Sequence, residues 1–137
     1  MAGVEFLELA AEIREDPRGF VFFPWQAGVK DTPDVFRTFH LISIAPGQVR
    51  GNHLHPGYRE YLLTFQGAGV FTWEEAPGQL QERQLSGHRT LVCIAPGIAH
   101  ALENPGPKIL YLLAWREKTG SAPEEPETVP HPLTSTR

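Results

Sequence analysis

Gly47-Gln-Val-Arg50-Gly-Asn-His53-Leu-His55-Pro-Gly-Tyr58-Arg-Glu60-Tyr-Leu-Leu-Thr-Phe-Gln-Gly67 is the stretch that decides the fold, together with Pro96-Gly97-Ile-Ala-His100-Ala-Leu-Glu-Asn104 further on. Both lie among β-patterned segments. Between them they hold three imidazoles and one carboxylate, a donor set that suits a divalent transition metal. Alternate side chains of a strand share a face, so His53 and His55 project together. Glu60 opens the next strand, near enough to turn back toward the same point. His100 comes from a distant segment and meets the others only if the sheet closes on itself. Neutral imidazoles with a carboxylate suit Zn, Fe, Mn, Ni or Cu rather than Ca or Mg, and leave the identity of the ion open. Protein ligands at His53, His55, Glu60 and His100 leave up to two positions on an octahedral ion for substrate or water.

Outward from this stretch the pattern is of short strands and tight turns. Residues 4–9 alternate weakly, and residues 9–14 are expected to form a turn or two of helix. Asp16-Pro17-Arg18-Gly19 reads as a turn, since Pro presets φ and Gly tolerates positive φ. Residues 20–23 and 35–44 read as strands. Residues 58–65 and 70–74 are expected to pair as a hairpin around Gln66-Gly67-Ala68-Gly69. Ala76-Pro77-Gly78 is a further turn, followed by strands over 80–85, 90–94 and 108–115. Seven or eight short strands with Gly/Pro punctuation argue for an all-β, single-domain sandwich or barrel. The expected organisation is an N-terminal strand or arm packing on the barrel (1–34), a barrel (35–116) and a Pro-rich acidic tail (117–137). The tail is read as mobile, or as docking on a partner subunit.

Composition bounds the function. The 137 residues fit one domain, and 13 Gly with 13 Pro suit a turn-rich fold. A net charge of −4 with interspersed signs gives no basic stripe, so nucleic acid is not an expected partner. No apolar run reaches the roughly 20 residues of a membrane span, and the first residues lack a signal-peptide pattern. Cys93 is the single cysteine, which excludes an internal disulfide and accords with a cytoplasmic location.

The motif spacing resembles the cupin superfamily. A glycine, five residues, His-x-His, four residues, Glu, six residues and a glycine are reproduced by Gly47, His53, His55, Glu60 and Gly67. Gly97, His100 and Asn104 match the Gly-x-x-His-x-x-x-Asn part of the second motif. The proline expected before it is replaced by Ala95, with Pro96 one place later. The resemblance covers residues 36–115 and implies a double-stranded β-helix, a small jelly-roll barrel with the metal near its mouth. Homodimerisation is a further implication, with residues 4–23 offering a strand for exchange.

Arg50-Gly51-Asn52-His53 is similar to the Arg-Gly-x-His segment of cupins acting on nucleotide-linked sugars, including the cupin domain attached to a capsule-sugar reductase. That resemblance implies epimerase or isomerase chemistry beside a sugar ketone. Proton removal there gives an enediolate, which a metal or a hydrogen-bond donor stabilises. Arg50 is the candidate contact for a diphosphate and for catalysis. Tyr58 is the candidate acid, because strand alternation turns Tyr61 away from Glu60. His40 is a candidate lining residue, whereas His88 and His131 read as surface. Retention of His55 separates this chain from metal-independent epimerases of the type. Two alternatives use the same donors: a non-haem iron dioxygenase, and a non-catalytic small-molecule-binding cupin.

Overall fold

A computed structural model describes residues 3–8, 10, 13–17, 19–22, 38–120 and 127–133. They form β1 (Val4–Glu8), β2 (Ile13–Asp16), β3 (Gly19–Phe22), β4 (His40–Ile44), β5 (Val49–Leu54), β6 (Tyr58–Gln66), β7 (Ala68–Ala76), β8 (Gln79–Ser86), β9 (Thr90–Ile94), β10 (His100–Glu103), β11 (Leu110–Lys118) and β12 (Val129–Pro130). One sheet runs β1-β9-β6-β11-β4, the second runs β12-β5-β10-β7-β8, and β2-β3 pair separately. All pairings are antiparallel. The result is the all-β jelly-roll barrel that the sequence implies. No helix among the described residues is long and apolar enough to cross a membrane.

Strand periodicity explains where the core sits. Along β11, Leu110, Leu112 and Ala114 face the barrel interior, where they meet Ile44, Leu62, Val92, Ile94 and Leu102. The odd residues of β6 and β11 face outward: Tyr61, Leu63 and Trp115 form a second apolar layer with Leu91, Cys93 and Ile13. Trp115 stacks on Phe39 at 4.8 Å and on Tyr61 at 5.5 Å. Strands covered on both faces read as continuous apolar runs, which is why Tyr-Leu-Leu-Thr-Phe and Leu-Tyr-Leu-Leu-Ala-Trp do not alternate.

Three expectations need correction. The segments on either side of Gly67 are strands, but they do not form a hairpin, because β6 and β7 belong to different sheets. Gly67 is the corner between them. Its φ is 96°, and a Cβ there would lie 2.8 Å from the Ile109 carbonyl oxygen, so only glycine fits. The hairpin lies one connection later, β7 to β8, across Pro77-Gly78. Second, Ile13 and Arg14, the described end of the segment expected as helix, belong to β2, which pairs with β3 across the predicted Asp16–Gly19 turn. Third, the tail does not trail away throughout. Val129 and Pro130 pair with Leu54 and His53 of the chain's own β5. Composition marks low burial, and it cannot register a few specific hydrogen bonds. β1, considered above as a strand for exchange, pairs with the chain's own β9. Residues 23–37, which include Trp25, Phe36 and the start of the expected 35–44 strand, lie outside the described residues.

Asn104 ties the two ends of the barrel wall together. It is 1% exposed, and its Nδ2 donates to the Ile44 carbonyl at 2.7 Å and the Lys108 carbonyl at 2.8 Å. Its Oδ1 accepts from Gly106 N–H at 2.8 Å. Asn104→Ala removes all three and strands buried carbonyls, so it should destabilise the domain by about 2–4 kcal/mol. Urea denaturation would check this, and a loss below about 0.5 kcal/mol would show that the turn is held by other means.

Candidate functional site

The site is built around a β-bulge. β10 pairs with β5 as His100↔His53, then Ala101↔Gly51 and Leu102↔Arg50, so the register shifts by one at Asn52. Gly51 has φ 99° and Asn52 φ 57°, the left-handed region that these two residue types tolerate best. A Cβ on Gly51 would meet the His100 carbonyl oxygen at 2.9 Å. The extra residue shifts the phase of the strand by one. Arg50 therefore shares a face with His53, although three positions separate them. The predicted pairing of His53 with His55 on one face is met differently: β5 ends at Leu54, and His55 lies in the turn beyond it. That turn is held by the His55 carbonyl, which accepts from Gly97 N–H at 3.0 Å.

The four sequence-predicted donors converge. One ligand atom from each of His53, His55, Glu60 and His100 lies within 4.8 Å of the others. His55, Glu60 and His100 are buried and His53 is half-buried. Glu60 comes from β6 in one sheet, and His53 and His100 from the facing sheet. His100 Nδ1–H donates to the Ile98 carbonyl at 2.9 Å, and His55 Nδ1–H to the Glu127 carbonyl at 3.0 Å. A carbonyl only accepts, so the neutral ring keeps its lone pair on Nε2. The two Nε2 atoms then lie 2.8 Å (His100) and 3.2 Å (His55) from Glu60 Oε1. Lone pairs held this close to a carboxylate oxygen repel unless a cation intervenes, either protons on the rings or a metal ion. An ion bonded at about 2.0–2.2 Å needs ligands no more than roughly 4.4 Å apart. The observed spread closes onto it with small side-chain shifts, so the residues fit a metal.

Electrostatics put His53 and Glu60 in their binding forms. Burial, then the neighbouring His100 and His55, bring the His53 imidazole down to about 4, against the opposing pull of Glu60. For Glu60, burial pushes upward, but hydrogen bonds and charge from the His100 and His55 rings, when these carry protons on Nε2, outweigh it and hold the carboxyl below the usual range. At neutral pH, His53 is thus neutral and Glu60 ionised.

The cluster opens on a cavity of about 460 Å³. Ile42, Ile44, Val49, Leu62, Leu102 and Leu112 give it apolar walls, and His40, Arg50, His53, Glu60, His100 and Arg116 give it polar groups. Arg50 and His40, both candidates from the sequence, line it. Arg50 Nε–H donates to the Ser43 carbonyl at 3.0 Å, and His40 Nδ1–H to the Thr38 carbonyl at 2.7 Å. Tyr58 is not among the lining residues. It opens β6 opposite Lys118, one step past the mouth from Glu60, so matching parity does not bring it to the cavity. Arg116 was missed. It continues the row Leu110, Leu112 and Ala114, but which face of β11 points inward is fixed by the register that sets Arg116 opposite Glu60. His131, read as surface, bridges to Glu74 at 3.0 Å with a partly exposed ring.

Fold and site together define a cupin-type barrel with a candidate metal centre. Residues 15–129 match the family described as the polysaccharide biosynthesis C-terminal domain, and the chain belongs to that family. No curated protein sequence matches it significantly. Among solved structures, the chain is similar to the capsular polysaccharide assembling protein CapF of Staphylococcus aureus, with 26% identity and a TM-score of 0.60 over 69% of this chain and 26% of CapF. It therefore spans about a quarter of that relative's length. CapF has also been solved with the inhibitor 3-isopropenyl-tropolone. The 3,4-ketoisomerase QdtA of Thermoanaerobacterium thermosaccharolyticum, in complex with TDP-4-keto-6-deoxyglucose, shares the fold at 12% identity and a TM-score of 0.71, over 96% of this chain and 89% of QdtA. ChmJ, a 3'-monoepimerase from Streptomyces bikiniensis in complex with dTDP, does so at 20% identity and 0.66, over 88% and 66%.

The pH response of the cluster has a definite sign. The unfolded chain protonates an ordinary imidazole near 6.5, whereas folded His53 resists until about 4. Between these values the unfolded state binds more protons, so acid favours unfolding. Glu60, depressed in the folded state, acts in the same direction below 4.5. Protein kept metal-free with a chelator should therefore lose melting temperature as pH falls from 6.5 toward 4, and His53→Ala should flatten that decline. Thermal melts across the window test it, and an unchanged slope in the variant would remove His53 as the source.

Proposed function

We propose that this domain is a metal-dependent epimerase or isomerase of a nucleotide-linked sugar, acting at a carbon beside a ketone. One observation carries the reading: three members of the His53/His55/Glu60/His100 cluster, His53, Glu60 and His100, line one cavity together with two guanidinium groups, Arg50 and Arg116. The ligand of QdtA, a keto-sugar nucleotide, and that of ChmJ, dTDP, support a substrate of this class. The tropolone inhibitor of CapF supports a metal, because the adjacent oxygens of a tropolone chelate such ions.

Each group has a role in this reading. His53, His55, Glu60 and His100 hold the ion. Once bound, it supplies Lewis-acid polarisation of the ketone oxygen. Arg50 and Arg116 hold the diphosphate through their planar forks, which match phosphate oxygens. The Ser43 carbonyl orients Arg50 for this. His40, with Nδ1–H committed to Thr38, offers its Nε2 lone pair as the base that removes the proton next to the ketone. His40 takes the proton-transfer role in place of Tyr58, since it lines the cavity. The apolar walls exclude water from the sugar. An iron dioxygenase would share the four donors but has no use for paired guanidiniums, and so the isomerase reading is preferred.

Purified protein should carry close to one transition-metal ion per chain, and His53→Ala/His100→Ala should carry almost none, by mass spectrometry. A panel of keto-sugar nucleotides in D₂O should then show solvent deuterium uptake with metal-loaded protein. His40→Ala should slow that uptake by about 10²–10⁴-fold. Absence of uptake across the panel, with oxygen consumption by the Fe(II)-loaded form, would transfer the assignment to the dioxygenase.

A further inference from the structure

The proposed reaction leaves the C-terminal segment without a role, yet this segment touches the site twice. β12 lies along β5, and beyond it His131 N–H donates to the Asn52 carbonyl at 2.7 Å and Leu133 N–H to Asn52 Oδ1 at 2.8 Å. The segment thus grips the bulge that sets the phase of Arg50 and His53. Two residues before β12, Glu127 reaches inward with both its backbone and its side chain. Its carbonyl accepts from His55 Nδ1–H at 3.0 Å, and its Oε1 lies 2.9 Å from Arg116 Nη2.

We propose that residues 127–133 form a strap that positions the metal ligand His55 and partly neutralises the cavity arginine Arg116, with Glu127 making both contacts. This rests on the metal-centre reading above. An acceptor on the far nitrogen of a ligating histidine fixes ring orientation and raises ligand basicity, and its loss typically lowers metal affinity about 10–100-fold. Strap and ion engage opposite nitrogens of one imidazole. A cation on Nε2 polarises Nδ1–H and strengthens its bond to the Glu127 carbonyl. Each therefore stabilises the other, by the same factor in both directions. The Glu127–Arg116 pair is partly exposed and contributes little to stability, so its effect is on how positive the cavity is.

The test uses the full-length protein, with metal content and backbone amide exchange measured on the same samples, metal-free and Zn²⁺-loaded. Loading should slow exchange of the His131 and Leu133 amides by about tenfold or more. In His55→Ala these amides should exchange faster than in the metal-free parent and show no response to Zn²⁺. A strap with a purely structural role would exchange at the same rate with and without metal. Metal uptake with unchanged exchange therefore overturns the strap and leaves the metal centre standing, whereas failure to take up metal overturns both. Glu127→Gln separates the two contacts: Zn²⁺ affinity should stay within about twofold, because the carbonyl remains, while inorganic pyrophosphate should bind severalfold tighter to the less neutralised Arg116. A fall in Zn²⁺ affinity with unchanged pyrophosphate binding would overturn the role given to the Glu127 carboxylate.

Discussion

One extra residue in a strand, Asn52, is the constraint on which the rest of the site depends. A regular strand would send Arg50 and His53 to opposite faces of the sheet. The bulge turns both to the side of β10 that carries His100 and Leu102. It needs positive φ at two successive positions, met by Gly51 and Asn52, and a backbone approach to His100 that leaves no space for a Cβ. The same residue then supplies the carbonyl and side-chain oxygen to which the tail is tied. Ligand phase, arginine placement and tail docking thus share a single local distortion.

The remaining strands deliver their polar groups by continuing an inward-facing row past the end of the apolar core. β6 runs from Leu62 to Glu60, β4 from Ile44 and Ile42 to His40, and β11 from Leu112 and Ala114 to Arg116. Core and site are successive levels of one barrel, so loss of a ligand at the mouth leaves the apolar floor packed. Burying Glu60 is costly in isolation, and a cation between it and the imidazoles, whether ring protons or a metal ion, offsets that cost. The barrel interior can therefore carry an ionised carboxylate beside a continuous hydrophobic cluster.

Much of this was legible in the sequence because its features are local. The donor spacing, the turns at Asp16–Gly19 and Pro77-Gly78, and the all-β class follow from residue type and short-range pattern. The misreadings concern relations that short-range pattern does not encode. Gly67 looks the same whether the chain reverses within a sheet or turns a corner into the facing one, and the contact that decides is with residues 109–110. Arg116 became visible only once the inward row of β11 was anchored by its register with β6. Within the polar, Pro-rich tail, residues 127–133 are placed by specific bonds to Asn52, His55 and Glu74, which composition does not encode. Tyr58 fails for the opposite reason: parity was right, but the strand passes the mouth before the side chain reaches the cavity.

In the proposed function, charge is what would give the cavity a preference for one kind of ligand. A divalent ion with Glu60 would leave one positive charge. Arg50 and Arg116 raise it to +3, and Glu127, paired with Arg116, brings it back to +2. The diphosphate linkage of a nucleotide sugar carries about two negative charges, so it meets a site of equal and opposite charge between apolar walls, where attraction is screened less than at an open surface. A free neutral sugar would gain nothing from either guanidinium. A simple phosphate monoester would leave one arginine without an obvious partner. On this balance, the proposed function assigns selection of the diphosphate to the two arginines and the single carboxylate of the strap, and leaves the four-donor centre to act on the sugar that the diphosphate carries.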